Sequence, residues 1–521
     1  MLVAEFLEAS AYKTPDKVCL VCDNKRFTYG EIETAANKLA NALVAQNVRR
    51  GDRVGIYLTN SAELVIAIFG VLKAGATFLV INRTVKFGKL AYILTNCQAK
   101  AIITDAEAFE SLSAQRDQVA SLQVAIITNI PEGEDYALRY VILEQIMGDE
   151  SDAAPDSRCI DMDLAALIYT SGSTGFPKGV MLTHLNMIAA ANSITQYLEN
   201  NCDDIILNVL PLSFDYGLYQ VLMAFKIGGT LILEKSFSYP YPIIEKLISE
   251  KVTGFPIVPT IAAMITQLKN LERYNFEHLR YISNTAAHLP RAHIDKLRTI
   301  FPKAKIYCMY GLTECKRVSY LPPDKLDEKP DSVGKGMPNE DVYIVNEGGE
   351  DVAPGEIGEL VVRGSNVMQG YWGMPEETAR VLRRGRNPWE KVLYTGDLFK
   401  KDADAYLYFI GRKDDIIKSR GEKVSPLEIE NVIHRMPGVA EVSITGVKHE
   451  IFGEAIKAIV VRDSDGAILT AEAIKDYCSK NLEDFMVPQI IEFQSLLLKT
   501  DSGKVRRGKP EKKFNNAKKN I

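Results

Sequence analysis

A chain of 521 residues exceeds what one hydrophobic core supports, so a large and a small domain are expected. Its hydrophobic share of 46% and charged share of 25% exclude disordered and fibrous classes. A net charge of -5, from 62 basic and 67 acidic residues, gives no electrostatic case for nucleic acid as a partner.

The opening MLVAEFLEAS places Glu5 and Glu8 where a signal peptide needs an apolar core, so secretion is not expected and a cytoplasmic location is. Eight cysteines are too sparse for a disulfide scaffold. Cys19 and Cys22 form a lone CxxC inside an apolar run and read as structural strand residues rather than metal ligands. Thr28 followed by Glu31 is a capping-box start, and Ile32, Ala35, Leu39 and Leu43 recur at helical spacing, which predicts a helix to about Gln46. The stretch from Leu64 to Ile81 is apolar enough to nominate a membrane span, but Lys73 near its centre, with Gly70 and Gly75, predicts a buried helix and then a strand. No membrane segment is expected.

Short apolar runs beginning at Ala101, Val124, Leu164, Asp204 and Lys305 alternate with helical patterns. Such alternation predicts an α/β fold: a large N-terminal domain of mixed, mainly parallel sheets flanked by helices. Past Asp341 short alternating segments split by glycine predict a β-rich subdomain of hairpins, about 335–411. From Asp415 the pattern returns to helix and strand, with Pro426 to Arg435 and Ala471 to Lys480 helical, which predicts a small α+β domain over 415–521. The large domain is then 1–411, and the last residues, rich in lysine, read as a solvated tail.

The segment Tyr169 to His184, YTSGSTGFPKGVMLTH, directly follows a predicted strand. Its glycines, hydroxyls and lysine (Thr170, Ser171, Gly172, Ser173, Thr174, Gly175 and Lys178) make a loop whose amides and hydroxyls can wrap phosphate oxygens. The spacing is not that of the Walker loop, which needs GK followed by Ser or Thr.

This loop resembles the signature of the AMP-forming acyl and aminoacyl adenylating superfamily, and the resemblance recurs in order along nearly the whole chain. YGLTE at 310–314, GYW at 370–372, YTGD at 394–397, GRKDDIIKSRGEKVSPLEIE at 411–430 and KTDSGKVRR at 499–507 carry it. It implies ATP and Mg²⁺, with Tyr310 on adenine beside Thr285 and Ala286, Gly311 in the nucleotide site, Thr313 at the α-phosphate and Glu314 on the metal ion. It further implies Asp397 on the ribose hydroxyls with Arg412 nearby, and Lys504 at the reacting carboxylate. Asp414 falls at the implied hinge, near 412–415, and Gly421 in the segment implied to admit the thiol. Such an enzyme forms an acyl-AMP and passes the acyl group to a phosphopantetheine thiol.

In PLSFDYGLYQ, residues 211–220, Asp215 stands where aminoacyl adenylating relatives place the aspartate that faces a substrate amine. The same resemblance lines the pocket with Tyr216, Tyr219, Ile282, Asn284, Met309 and Val318, while Lys316 and Arg317 depart from the peptide-synthetase pattern. Together with SNTAA and YGLTECKRVSYLPP, these segments look most like free-standing enzymes that load L-proline onto a separate peptidyl carrier protein in secondary metabolism. The alternatives are a medium- or long-chain acyl-CoA ligase and an inactive nucleotide-binding relative.

Overall fold

Two sheets of mainly parallel strands carry the first and larger part of the chain, as the alternating pattern predicts. The computed structural model describes residues 1–129, 136–170, 177–413, 415–419, 422–449, 453–463 and 469–497. The chain divides into two compact units: Met1–Thr285 with Asp295–Val342 and Val361–Tyr394, and Ala286–Ile294 with Tyr343–Leu360 and Thr395–Ile521. The second unit thus takes in segments N-terminal to the 415–521 domain expected from texture.

In the first unit, among the described residues, one sheet has nine strands. Its central run is Lys305–Tyr310, Tyr281–Asn284, Gly254–Ile257, Ile205–Asn208, Thr230–Leu233 and Val18–Cys22, all parallel. The other has eight, with Lys178–Thr183 antiparallel to Leu164–Thr170 and the parallel strands Thr77–Val80, Arg53–Tyr57, Ala101–Asp105 and Val124–Thr128 beyond them. Strands buried on both faces in this way read as continuous apolar runs.

The helix Tyr29–Ala45 starts at the expected capping box, with Thr28 accepting from the Glu31 amide and Glu31 accepting from the Thr28 amide. The long apolar run resolves into the helix Ala62–Lys73 and the strand Thr77–Val80. Its interrupting lysine, buried, ends between Glu8 at 2.7 Å and Glu33 at 2.8 Å, which explains how a cation survives in an apolar helix. Phe69 of that helix stacks at 5.0 Å on Phe225 of the helix Asp215–Ile227, and Tyr29 meets the same ring edge-on at 5.5 Å. Cys19 and Cys22 are buried strand residues; burial pushes the Cys22 thiol up to about 12, so neither is poised as a thiolate. Among the described residues, no helix is long and apolar enough to cross a membrane.

The second unit holds a sheet in the order Glu422–Val424, Ile417–Ser419, Gly453–Arg462, Val439–His449, with Ile490–Gln494 parallel to Gly453–Arg462. The helix Pro426–His434, capped by Ser425, and the helix Ala471–Asn481, capped by Thr470, supply Ile429, Ile433 and Ile474 to its core.

Candidate active site

Thr170 and Lys178 are register partners at the ends of two antiparallel strands, so the loop expected to hold phosphate leaves one strand and enters the next. Ser171, Gly172, Ser173, Thr174 and Gly175 lie outside the described residues, as do Asp414, Gly421 and Lys504. Lys178 Nζ is 2.8 Å from the Glu377 carboxylate and 5.2 Å from the ring centroid of Tyr371. Glu377 sits on the short helix Pro375–Val381, and its hydrogen bond from Lys178 holds its carboxyl below the usual range.

The YGLTE motif begins at the last residue of the strand Lys305–Tyr310 and continues into a tight connection to Ser319–Leu321. Tyr310 pairs with Ser319, and the Val318 amide donates to the Tyr310 carbonyl at 3.0 Å. The returning backbone passes so close that a Cβ on Gly311 would lie 2.5 Å from the Lys316 carbonyl oxygen. Only glycine fits there. The connection is clamped from outside as well: the Met368 amide donates to the Glu314 carbonyl at 2.8 Å, and Asn366 Nδ2 donates to the Cys315 carbonyl at 2.8 Å. The Glu314 carboxylate accepts from the Tyr371 hydroxyl at 2.7 Å.

A carboxylate is a suitable hard-oxygen ligand for Mg²⁺. Among the described residues, no group of three or more His, Cys, Asp or Glu converges. A single carboxylate such as that of Glu314 suits Mg²⁺ that arrives with nucleotide phosphates, which supply most of its ligands.

Thr285 follows the strand Tyr281–Asn284 and is buried in the first unit. Ala286, assigned to the second unit, adopts a left-handed φ of 78°, strained for a residue with a Cβ. In the second unit Asp397 and Arg412 face each other across an antiparallel pair, with Nε 3.2 Å from Oδ1. Asp397 and Arg412, which the resemblance pairs at the ribose, are thus adjacent.

The residues expected around the acid are all buried in the first unit: Asp215, Tyr216 and Tyr219 on the helix Asp215–Ile227, Ile282 and Asn284 on the neighbouring strand, Met309 on the next, and Val318 on the return. Tyr216 is fixed by its hydroxyl, 2.7 Å from both the carbonyl and the Oγ of Ser283. Tyr197 donates to the Met309 sulfur at 3.0 Å.

Asp215, however, already has a cation. Lys316, buried at 4% exposure and in a left-handed backbone conformation with φ of 67°, extends Nζ to the Asp215 carbonyl oxygen at 2.9 Å and its carboxylate at 3.6 Å. The ammonium also lies 4.5 Å from the Tyr219 ring centroid and 5.3 Å from that of Tyr216. Burial pulls the Lys316 ammonium down to about 7, an effect that Asp215 opposes and the adjacent Arg317 adds to. Arg317, buried, lies 5.3 Å over the other aromatic, Tyr216, and shares its surroundings with Glu340, whose carboxyl burial pushes well above the usual range. The sequence marks Lys316 and Arg317 as a departure at the far wall of the expected pocket, but does not reveal that Lys316 meets Asp215. The available signal is two adjacent cations between Cys315 and Val318, just past the YGLTE motif.

A family model described as AMP-binding enzyme matches residues 7–372, and one described as AMP-binding enzyme C-terminal domain matches residues 428–504. A long-chain-fatty-acid–CoA ligase of Bacillus subtilis (strain 168) is 32% identical over 527 residues, covering 96% of this chain and 92% of that protein. A segment of a linear gramicidin synthase of Brevibacillus parabrevis is 29% identical over 524 residues, covering 99% of this chain and 6% of that protein. Among solved structures, ATP-bound MatB from Rhodopseudomonas palustris superimposes with a TM-score of 0.86 at 27% identity, covering 97% of each chain. An anthranilate CoA ligase, AuaEII, in complex with anthranoyl-AMP gives 0.88 at 25% identity, covering 97% of this chain and 95% of that one.

Proposed function

Because the chain belongs to the AMP-binding enzymes, ligases that use ATP with Mg²⁺ to adenylate a carboxylate, we propose that it activates an acid without a free amine and transfers the acyl group to coenzyme A. The observation that carries this reading is the Lys316–Asp215 pair. An ammonium about 4 Å from a carboxylate gains on the order of 4 kcal/mol at an effective dielectric near 20. A substrate ammonium beside Asp215 would gain that much and lose a similar amount to a protonated Lys316. While protonated, at pH values below about 7, the internal lysine supplies the charge that an amino acid would bring, so the amine-binding role expected for Asp215 has no vacancy to fill. The buried tyrosines, Met309 and aliphatics then favour a compact or aromatic acyl group. The similar CoA ligases support the acceptor, in place of the carrier protein expected from sequence.

The chain's own residues suit the first half-reaction. A substrate carboxylate, with a pKa of about 4, is ionised at neutral pH and needs no general base. It needs alignment with the nucleotide and neutralisation of charge on the phosphoryl oxygens. Mg²⁺ would supply part of that neutralisation, held by Glu314. Lys178 and Thr313 would hold phosphate oxygens, Asp397 the ribose and Lys504 the reacting carboxylate.

One observation favours a second reading, amino acid loading onto a carrier protein: the similarity of nearly the whole chain to a gramicidin synthase segment. ATP–pyrophosphate exchange across aryl, fatty and amino acids, followed by thioester formation with coenzyme A or a phosphopantetheinylated carrier, separates the two. Exchange driven by an amine-free acid with coenzyme A as acceptor is the expected result. Proline-dependent exchange with transfer only to the carrier would overturn it.

A further inference from the structure

Tyr371 takes no part in the half-reaction proposed, yet its side chain touches both charged groups at the triphosphate end of the site. Its hydroxyl donates to Glu314 at 2.7 Å, and its ring lies 5.2 Å from the Lys178 ammonium. Main-chain bonds pin the residue independently of that side chain. Its amide donates to Thr378 Oγ1 at 2.9 Å, it pairs with Val180 across the strand Lys178–Thr183, and the next amide, of Trp372, donates to the Gly179 carbonyl at 2.8 Å. Lys178 is closed in from elsewhere by Glu377 at 2.8 Å.

We propose that Tyr371 is a positioning residue, holding Glu314 through its hydroxyl for a divalent cation and steadying Lys178 on its ring for phosphate. The proposal rests on the reading that Glu314 holds the nucleotide's metal ion. A phenol hydroxyl has one proton to give, so it fixes one carboxylate oxygen and turns the other toward a hard cation. An aromatic face attracts an ammonium without neutralising it. The ring thereby adds to the hold on Lys178 that its ion pair with Glu377 already provides. Outer partners of this kind orient metal ligands, and their loss commonly costs about ten- to a hundredfold in metal affinity.

The test uses the full chain and Tyr371→Phe, which removes only the hydroxyl and leaves the main-chain anchors. Mn²⁺ binding is measured by electron paramagnetic resonance in the presence of α,β-methylene-ATP. Binding of the metal-free analogue is measured in chelator, and a thermal melt reports the fold. Tyr371→Phe is expected to weaken Mn²⁺ binding about tenfold, with metal-free nucleotide affinity and melting temperature kept. Tyr371→Leu, which also removes the ring, should weaken metal-free nucleotide binding as well. Wild-type Mn²⁺ affinity in Tyr371→Phe, beside a weakened Glu314→Gln control, would overturn the positioning role alone. Wild-type affinity in Glu314→Gln would overturn the metal reading and the proposal with it.

Discussion

Lys316 donates to the main-chain oxygen of Asp215 at 2.9 Å, while the carboxylate of the same residue lies 3.6 Å away. The lysine therefore holds the first residue of the helix Asp215–Ile227 by its backbone and balances its charge with the same ammonium. Removing one member of such a buried pair leaves the other uncompensated, which typically costs about 3–5 kcal/mol. Lys316→Met and Asp215→Asn should each lower the melting temperature. The double variant should lose less than the sum of the two, with a coupling of roughly 1 kcal/mol or more. Strict additivity in a double-mutant cycle would mean that the pair does not act as a unit.

The same position probes specificity. With Lys316 gone, Asp215 regains a site for an external ammonium, so Lys316→Ala should acquire amino acid-dependent ATP–pyrophosphate exchange that the wild type lacks. It should lose exchange with the native acid through a raised Michaelis constant rather than through metal or nucleotide affinity.

Gly311→Ala tests the tight return after Tyr310. The new methyl would meet the Lys316 carbonyl at 2.5 Å and the Arg317 Cα at 3.0 Å, both backbone atoms with little room to yield. Overpacking of this kind costs about 1–3 kcal/mol. Adenylation should fall much further than stability, because the displaced loop carries Glu314. Full exchange activity in a folded Gly311→Ala protein would show that the loop tolerates the shift.

His184 sets an acid limit. Its Nδ1 accepts from the Val3 amide at 3.0 Å, and burial pulls its pKa down to about 4 from an ordinary 6.5. A folded pKa below the unfolded one means that the unfolded chain binds the proton more readily as pH falls. The contribution is therefore complete above about 6.5 and lost progressively toward 4, on the order of 3 kcal/mol in all. Melting temperatures between pH 7 and 4 should fall less steeply in His184→Asn than in the wild type.

Local signals were legible. The capping box at Thr28 and Glu31, the break of the long apolar run into helix and strand, and the alternating core strands all depend on neighbours a few residues apart. What escaped the sequence are contacts across long stretches of chain. Lys73 predicts a buried helix without revealing that Glu8 and Glu33 meet it. Glu314 is recognisable from its motif, but the hydroxyl that orients it comes from a strand 57 residues away. Asp215 showed most clearly how far local pattern reaches, because its position suggested an amine partner while the cation beside it belongs to the same chain.

Lys316 and Asp215 stand 101 positions apart in the chain and share one balance of charge. A drift in substrate preference toward amines cannot pass through either site alone without stranding a buried ion. The two positions should therefore change together among descendants of this chain, and a library built to alter its acid would do better to vary them as a single letter than as two.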